Sequence, residues 1–446
     1  MKDILVIILL LLTLPLFFYK LGQTSLTSFD EAWYGEISRN IIISGNLLNL
    51  TWNGEPYIEH PPAGFWMIAV AMKMLGEDEF AVRFAPAFLG FLSLIVIYFL
   101  GKELFNRIVG FASSIGLASS FWFIFRARSG NLDSILTFFF LLTLLLAVKA
   151  SKEKKFFMPF SISLIFLLLT KAAVPFTLIP TLIVIFSNSK FKKDLTKWMI
   201  LVGTVFVSWF LINISRNDLF IKHYFLTGLA GVKQQTDYLY NLRLVKEYLH
   251  SGIGKWFWPG IASILIGLIL KQKRFLILSV FFLSFFLPFL FSSKGHIWHL
   301  IPLHPIMILC FFGLMYVVLE KFIKQKFYIN ILIICVAIYF SLFQIKIAWN
   351  QFINISAFIS DEQILSQEAA KFPQQLIIDG DFQQSAVFYS KKIVKQVKRG
   401  EYDKLFSQRT SFLLITNQWL LDEAKIPKEK YFILKGDRDK ILIKVI

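Results

Sequence analysis

Ionisable residues in this chain collect at a few points between long apolar runs, and their types suit chemistry on a phosphate or a sugar attached to one. Phe29-Asp30-Glu31-Ala32-Trp33-Tyr34-Gly35-Glu36 opens a polar loop that closes with Tyr57-Ile58-Glu59-His60-Pro61-Pro62. A carboxylate can take a proton from a hydroxyl or orient it. Asp30-Glu31 directly follows an apolar run, and Trp33 and Tyr34 suit the headgroup interface, so the pair falls at the depth of a lipid phosphate. Pro61-Pro62 cannot continue a helix out of Glu59 and His60 and fixes the chain direction there; a rigid turn without chemistry is the plain alternative.

Further along, Arg126-Ala127-Arg128-Ser129-Gly130-Asn131-Leu132-Asp133 sets two cations and a carboxylate at the ends of two apolar runs. Thr170-Lys171 and Lys294-Gly295-His296 add cations at similar points, and Trp298-His299 follows the second. Guanidinium and ammonium groups both bind phosphate. The plain alternatives are snorkelling for Arg126 and Arg128 and an N-cap for Asp133. Asp133 opens an almost uninterrupted apolar run, where an ionisable group is costly and points to function. His296, His299 and His304 lack a zinc-ligand pattern, so they read as interfacial or ligand-bonding histidines.

The elements that must position these residues follow from composition. Hydrophobic residues make up 56% of the chain, the mean hydropathy is +0.62 and Phe fills 50 of 446 positions, which together indicate a polytopic membrane protein. A window of about 19 residues gives roughly eleven apolar segments, up to about thirteen when short ones are divided, beginning with a retained first helix over 4–19. One of these runs unbroken over 108–125, and 215–257 reads as a long external loop. Lys102/Arg107, Lys149/Lys152/Lys154/Lys155, Lys190/Lys192/Lys193/Lys197, Lys271/Lys273/Arg274 and Lys321/Lys324/Lys326 all fall on one side, which the positive-inside rule makes cytoplasmic. Topology and anionic lipids thus account for the net charge of +18, with no nucleic-acid partner required. Cys310 and Cys335 form no disulfide or metal framework.

Past residue 350 hydrophobicity drops and short elements alternate: strands over 375–379 and 411–416, a helix over 382–389 and a hairpin of 431–434 with 441–445 around Gly436-Asp437. The expected division is a membrane domain, 1–349, with its external loop 21–82, and an extracytoplasmic α/β domain, 350–446.

These motifs resemble those of the GT-C glycosyltransferases, in the family that joins protein O-mannosyltransferases with the lipid A aminoarabinose transferases (ArnT-like). Asp30 to Ile37 is similar to the Asp-Glu-x-x-Tyr-x-Glu-Ile start of the family's first external loop, and Glu59-His60-Pro61-Pro62 with Phe65-Trp66 to its close. Arg126 to Asp133, Leu169-Thr170-Lys171 and Lys294 to Pro305 match later motifs in order. The chain departs at His60, where lysine is usual, at Ala172 for glycine and at His299 for tyrosine.

The resemblance implies a GT-C fold and transfer of a sugar, with inversion, from a polyprenyl-phosphate donor to an extracytoplasmic acceptor that is a lipid, a glycan or a protein. The site it implies has Asp30 and Glu31 as catalytic carboxylates. Tyr34, Glu59, His60, Arg126, Arg128, Asp133, Lys171, Lys294 and His299 bind substrate or phosphate. The leaving phosphate calls for cations or a divalent metal, whose candidate ligands are Asp30, Glu59 and His60. Two other classes fit a polytopic chain, a flippase or transporter and a non-catalytic binding scaffold. A transporter favours inverted repeats and broken helices, and the sequence shows neither.

Overall fold

The computed structural model describes residues 4–222, 224, 238–291, 297–398, 402–407 and 410–446. Helices dominate: α1 (Ile4–Phe18), α2 (Asp30–Ser44), α3 (Ala63–Leu75), α4 (Glu79–Leu104), α5 (Arg107–Leu117), α6 (Phe121–Ala127), α7 (Asp133–Ala150), α8 (Phe157–Leu168), α9 (Ile179–Phe186) and α10 (Lys192–Arg216), followed by further long apolar helices. Among the described residues, seven helices are long and apolar enough to cross a membrane, or eight if α5 and α6 form one bent span, and three shorter apolar helices accompany them. This is a multi-pass membrane protein with a small sheet domain at its C-terminus.

The chain forms two compact units. One comprises Met1–Lys20, Ile58–Gly64 and Phe84–Ile355; the other comprises Leu21–Tyr57, Phe65–Arg83 and Ser356–Ile446. The expected boundary at 349/350 leaves the polar loop with the membrane domain, whereas Leu21–Tyr57 and Phe65–Arg83 cluster in one unit with the C-terminal domain.

In the first unit, α7 is the inner helix, with 83% of its apolar window buried, whereas α10 buries only 11% and must meet lipid. Two glycines let α4 and α5 touch. A Cβ on Gly101 would lie 2.6 Å from Gly110 Cα, and one on Gly110 would collide with the Tyr98 carbonyl oxygen. The expected unbroken segment over 108–125 is instead bent by 69° between α5 and α6, so a broken helix exists that sequence did not reveal. Serines make the break tolerable by replacing lost backbone partners. Ser119 Oγ donates to the Gly116 carbonyl at 2.7 Å and Ser341 Oγ to the Ile115 carbonyl at 3.2 Å, while Ser119 Oγ accepts from Trp256 Nε1 at 3.0 Å and Gln344 Nε2 at 3.2 Å and Ser120 Oγ lies 2.7 Å from His304 Nδ1. The expected long loop 215–257 is also corrected, since the chain is helical from Tyr238 through to the helix Phe257–Leu270.

In the second unit, β1 (Thr51–Trp52) and β2 (Glu55–Pro56) form a hairpin whose turn, Asn53-Gly54, takes positive φ at both residues, +53° and +85°. A five-stranded sheet follows, made of β3 (Leu376–Ile378), β4 (Val394–Gln396), β5 (Phe412–Asn417), β6 (Tyr431–Asp437) and β7 (Lys440–Val445) in the order β4-β3-β5-β7-β6. β3 pairs parallel with β4 and β5, and β7 pairs antiparallel with β5 and β6. One face packs Leu365, Ala386 and Val387, and the other packs Tyr402, Leu405 and Leu421, so both faces are covered. The first-loop hairpin docks on this sheet through Asn53. Its side chain donates to the Val394 carbonyl at 3.0 Å and accepts from the Val394 amide at 2.8 Å.

Candidate active site

Asp133 is the first residue of α7, with Leu132 in the capping position, so it does not serve as the N-cap. Its backbone amide donates to Asn131 Oδ1 at 2.8 Å, and Asn131 Nδ2 in turn donates to the Arg126 carbonyl at 2.8 Å, which closes the turn between α6 and α7. That turn aims the carboxylate between two cations. Lys171 Nζ donates to Oδ1 at 2.8 Å, and Arg126 donates to Oδ2 from Nε at 2.8 Å and Nη2 at 2.6 Å. The Asp133 side chain is 3% exposed and each cation 11%, so solvent screens the cluster little. Trp298 stacks 5.2 Å from the Arg126 guanidinium, and His299 lies within electrostatic reach of Asp133.

His60 joins the same cluster from the Glu59-His60-Pro61-Pro62 segment, which is tied to the Lys171 turn by the Ala63 amide donating to the Leu169 carbonyl at 2.8 Å. The residue is half-buried with ring Nδ1 out of reach of solvent, and desolvation, reinforced by the Lys171 charge, pushes its pKa down to about 3. A neutral imidazole therefore sits within electrostatic reach of Lys171 and Asp133. The surplus positive charge, held in low dielectric by one carboxylate, is what a phosphate dianion or monoanion would complement.

In the second unit, Asp30 begins α2 and is half-buried. Its neighbour Glu31 is engaged differently. Arg83 grips it with both arms, Nε to Oε1 at 2.7 Å and Nη2 to Oε2 at 2.9 Å, and the Thr27 amide donates to Oε2 at 2.9 Å. The same guanidinium donates to the carbonyls of Leu21, Thr24 and Ser25 at 3.0, 2.8 and 2.9 Å. Glu31 thus anchors the start of the loop, a positioning role, and the expectation that it is a catalytic carboxylate gives way to that geometry. Arg83 was missed by sequence reading, although an arginine inside an otherwise apolar helix was the signal available. Arg39, in the middle of α2, is a second buried arginine of this unit. It pairs with Glu36, reaches Glu77 at 3.0 Å and the Phe388 carbonyl at 2.8 Å, and stacks 4.0 Å from the Phe388 ring.

Two further expectations change. Arg128 does not join the phosphate-facing cations; it donates to the Leu16 and Tyr19 carbonyls at 3.2 and 2.8 Å and so caps the end of α1. Tyr34 is buried edge-to-face on Phe65, 5.2 Å between ring centres, as part of an aromatic packing with Trp33 and Tyr57. Lys294 lies outside the described residues. Among the described residues no group of three or more His, Cys, Asp or Glu side chains could hold a metal ion.

Comparison with known proteins agrees with this architecture. The sequence family described as dolichyl-phosphate-mannose-protein mannosyltransferase matches residues 59–214, a stretch that holds His60, Arg126, Asp133 and Lys171. The fold matches ArnT from Cupriavidus metallidurans bound to undecaprenyl phosphate, with a TM-score of 0.74 at 13% identity over 100% of this chain and 98% of that one. The chain has the GT-C fold. An oligosaccharyltransferase of Archaeoglobus fulgidus shares it more distantly, with a TM-score of 0.57 at 14% identity over 88% of this chain and 62% of that one. By sequence, an uncharacterized protein of Aquifex aeolicus is 29% identical over 46% of this chain and 43% of its own length. An undecaprenyl phosphate-alpha-4-amino-4-deoxy-L-arabinose arabinosyl transferase of Pseudomonas savastanoi is 39% identical over 28% of this chain and 24% of its own. The chain therefore aligns to less than half the length of these relatives. The GT-C resemblance read from the motifs stands.

Proposed function

We propose that this GT-C protein transfers a sugar from a polyprenyl-phosphate carrier to an extracytoplasmic acceptor, with inversion at the anomeric carbon. The observation that carries the reading is the buried Lys171–Asp133–Arg126 group, in which two cations share one carboxylate. As the bond from the anomeric carbon to the phosphate oxygen breaks, negative charge builds up on the phosphate, and preorganised cations in a poorly hydrated site stabilise it. Asp133 holds both cations in place before the substrate arrives, so little reorganisation is needed during the reaction. Neutral His60 adds hydrogen bonding without further charge.

Asp30 is the base of this reading: it takes the proton of an acceptor hydroxyl as the new bond from that oxygen to the anomeric carbon forms. Polyprenyl phosphate leaves. An acceptor that is already an ionised phosphate needs no proton removed, and Asp30 then orients it. The lysine-rich helix ends face the cytoplasm by the positive-inside rule, which puts Asp133 and the C-terminal domain outside.

The test is purified protein in vesicles supplied with undecaprenyl-phosphate-linked sugars and candidate acceptors, with released undecaprenyl phosphate followed by mass spectrometry. In cells lacking the protein the lipid-linked sugar accumulates and the acceptor stays unmodified. A carrier moved across the membrane with no covalent linkage lost would refute the transferase reading and favour transport.

A further inference from the structure

At the end of α7 remote from Asp133, a cavity of about 320 Å³ opens between helix ends. The 18 residues of α7 place it roughly 27 Å away, the thickness of a hydrocarbon core. The two sites therefore lie at opposite membrane faces. The cavity has two kinds of wall. Leu104, Val148, Ile185 and Ile277 are apolar, whereas Lys152, Lys273 and Arg274 bring three cations against the single carboxylate of Glu103.

Among the described residues, one of these cations meets an opposite charge, Lys152 with Glu103 at 2.6 Å. Lys273 Nζ donates to the Ile185 carbonyl at 2.9 Å, and Arg274 donates to Gln272 Oε1 from Nε at 3.1 Å and Nη2 at 2.9 Å while stacking 5.0 Å from the Phe105 ring. Lysines near helix C-termini also cap carbonyls, and that accounts for the Lys273 contact with Ile185. It does not account for Arg274, which stands with Lys273 at the N-terminus of the 18-residue helix Lys273–Leu290, where the helix dipole already favours an anion. Basic pockets between membrane helices on one face suit acidic lipid headgroups.

We propose that this cavity binds an anionic phospholipid, its phosphate on Arg274, Lys273 and Lys152 and its glycerol and first acyl carbons along Leu104, Val148, Ile185 and Ile277. The site is separate from sugar transfer and stands without it. Both the phosphate and the apolar part are needed, which distinguishes a lipid from a free phosphate ion.

Native mass spectrometry of the full chain in detergent, titrated with phosphatidylglycerol, phosphatidylcholine or inorganic phosphate, tests this. Phosphatidylglycerol binds in preference to phosphatidylcholine, and Lys152→Gln, Lys273→Gln and Arg274→Gln each weaken it about fivefold. Lys428→Gln, an exposed lysine of the C-terminal domain outside both sites, leaves that preference in place. Equal binding of the two lipids overturns the proposal, as does displacement of phosphatidylglycerol by millimolar inorganic phosphate. Thermal unfolding of the unmodified protein gives a second reading that needs no variant to fold: phosphatidylglycerol raises the midpoint above that in phosphatidylcholine, and equal midpoints count against the site.

Discussion

Lys171 Nζ and Asp133 Oδ1 are 2.8 Å apart although 38 residues separate them in the chain, and Arg126 completes the group from the other side of the carboxylate. Removing the carboxylate leaves two buried cations facing one another. Asp133→Asn is therefore expected to destabilise the protein by about 3–5 kcal/mol and to abolish donor-lipid binding. Lys171→Met alone leaves Asp133 paired with Arg126 and costs less. In the double variant the penalties are not additive, which a thermal-unfolding double-mutant cycle measures.

Asp30→Asn separates proton transfer from binding. If Asp30 is the base for an acceptor hydroxyl, turnover falls by about 10²- to 10⁴-fold while the unfolding midpoint and donor-lipid affinity stay at their original values. Unchanged turnover with a hydroxyl acceptor would remove Asp30 from the mechanism.

Glu31 and Arg83 behave in the opposite way. Their bidentate pair is buried and also organises the carbonyls of Leu21, Thr24 and Ser25. Glu31→Gln and Arg83→Met each lower the unfolding midpoint, by the equivalent of about 3–5 kcal/mol, and activity falls in step with folded protein. A stable, inactive Glu31→Gln protein would restore it as a catalytic carboxylate.

The His60 pKa lies near 3 in the folded protein against about 6.5 for an unperturbed histidine. Between those values the unfolded chain binds a proton that the folded one does not, so stability rises with pH across this window and is lost as pH falls from about 6.5 toward 3. In His60→Gln this contribution disappears. From pH 7 to pH 4 the unfolding midpoint of the unmodified protein should fall more steeply than that of His60→Gln, and parallel curves would show that His60 does not carry the effect.

The sequence alone determined the membrane class, the helical bulk, the strands β3, β5, β6 and β7 and the GT-C resemblance, because each rests on local hydropathy, periodicity or motif order. It also nominated Arg126, Asp133, Lys171 and His60, since ionisable groups at the ends of apolar runs stand out one by one. Only the tertiary structure decided which of them meet. Arg128, two residues from Arg126, turns instead to the end of α1, and Glu31, adjacent to Asp30, is taken by an arginine 52 residues away. The bend between α5 and α6 was equally illegible, because the side chains that hold its serines, Trp256, His304 and Gln344, come from distant parts of the chain. Partnership of a buried charge depends on which distant helices pack against it, and a single chain read in order carries no direct record of that.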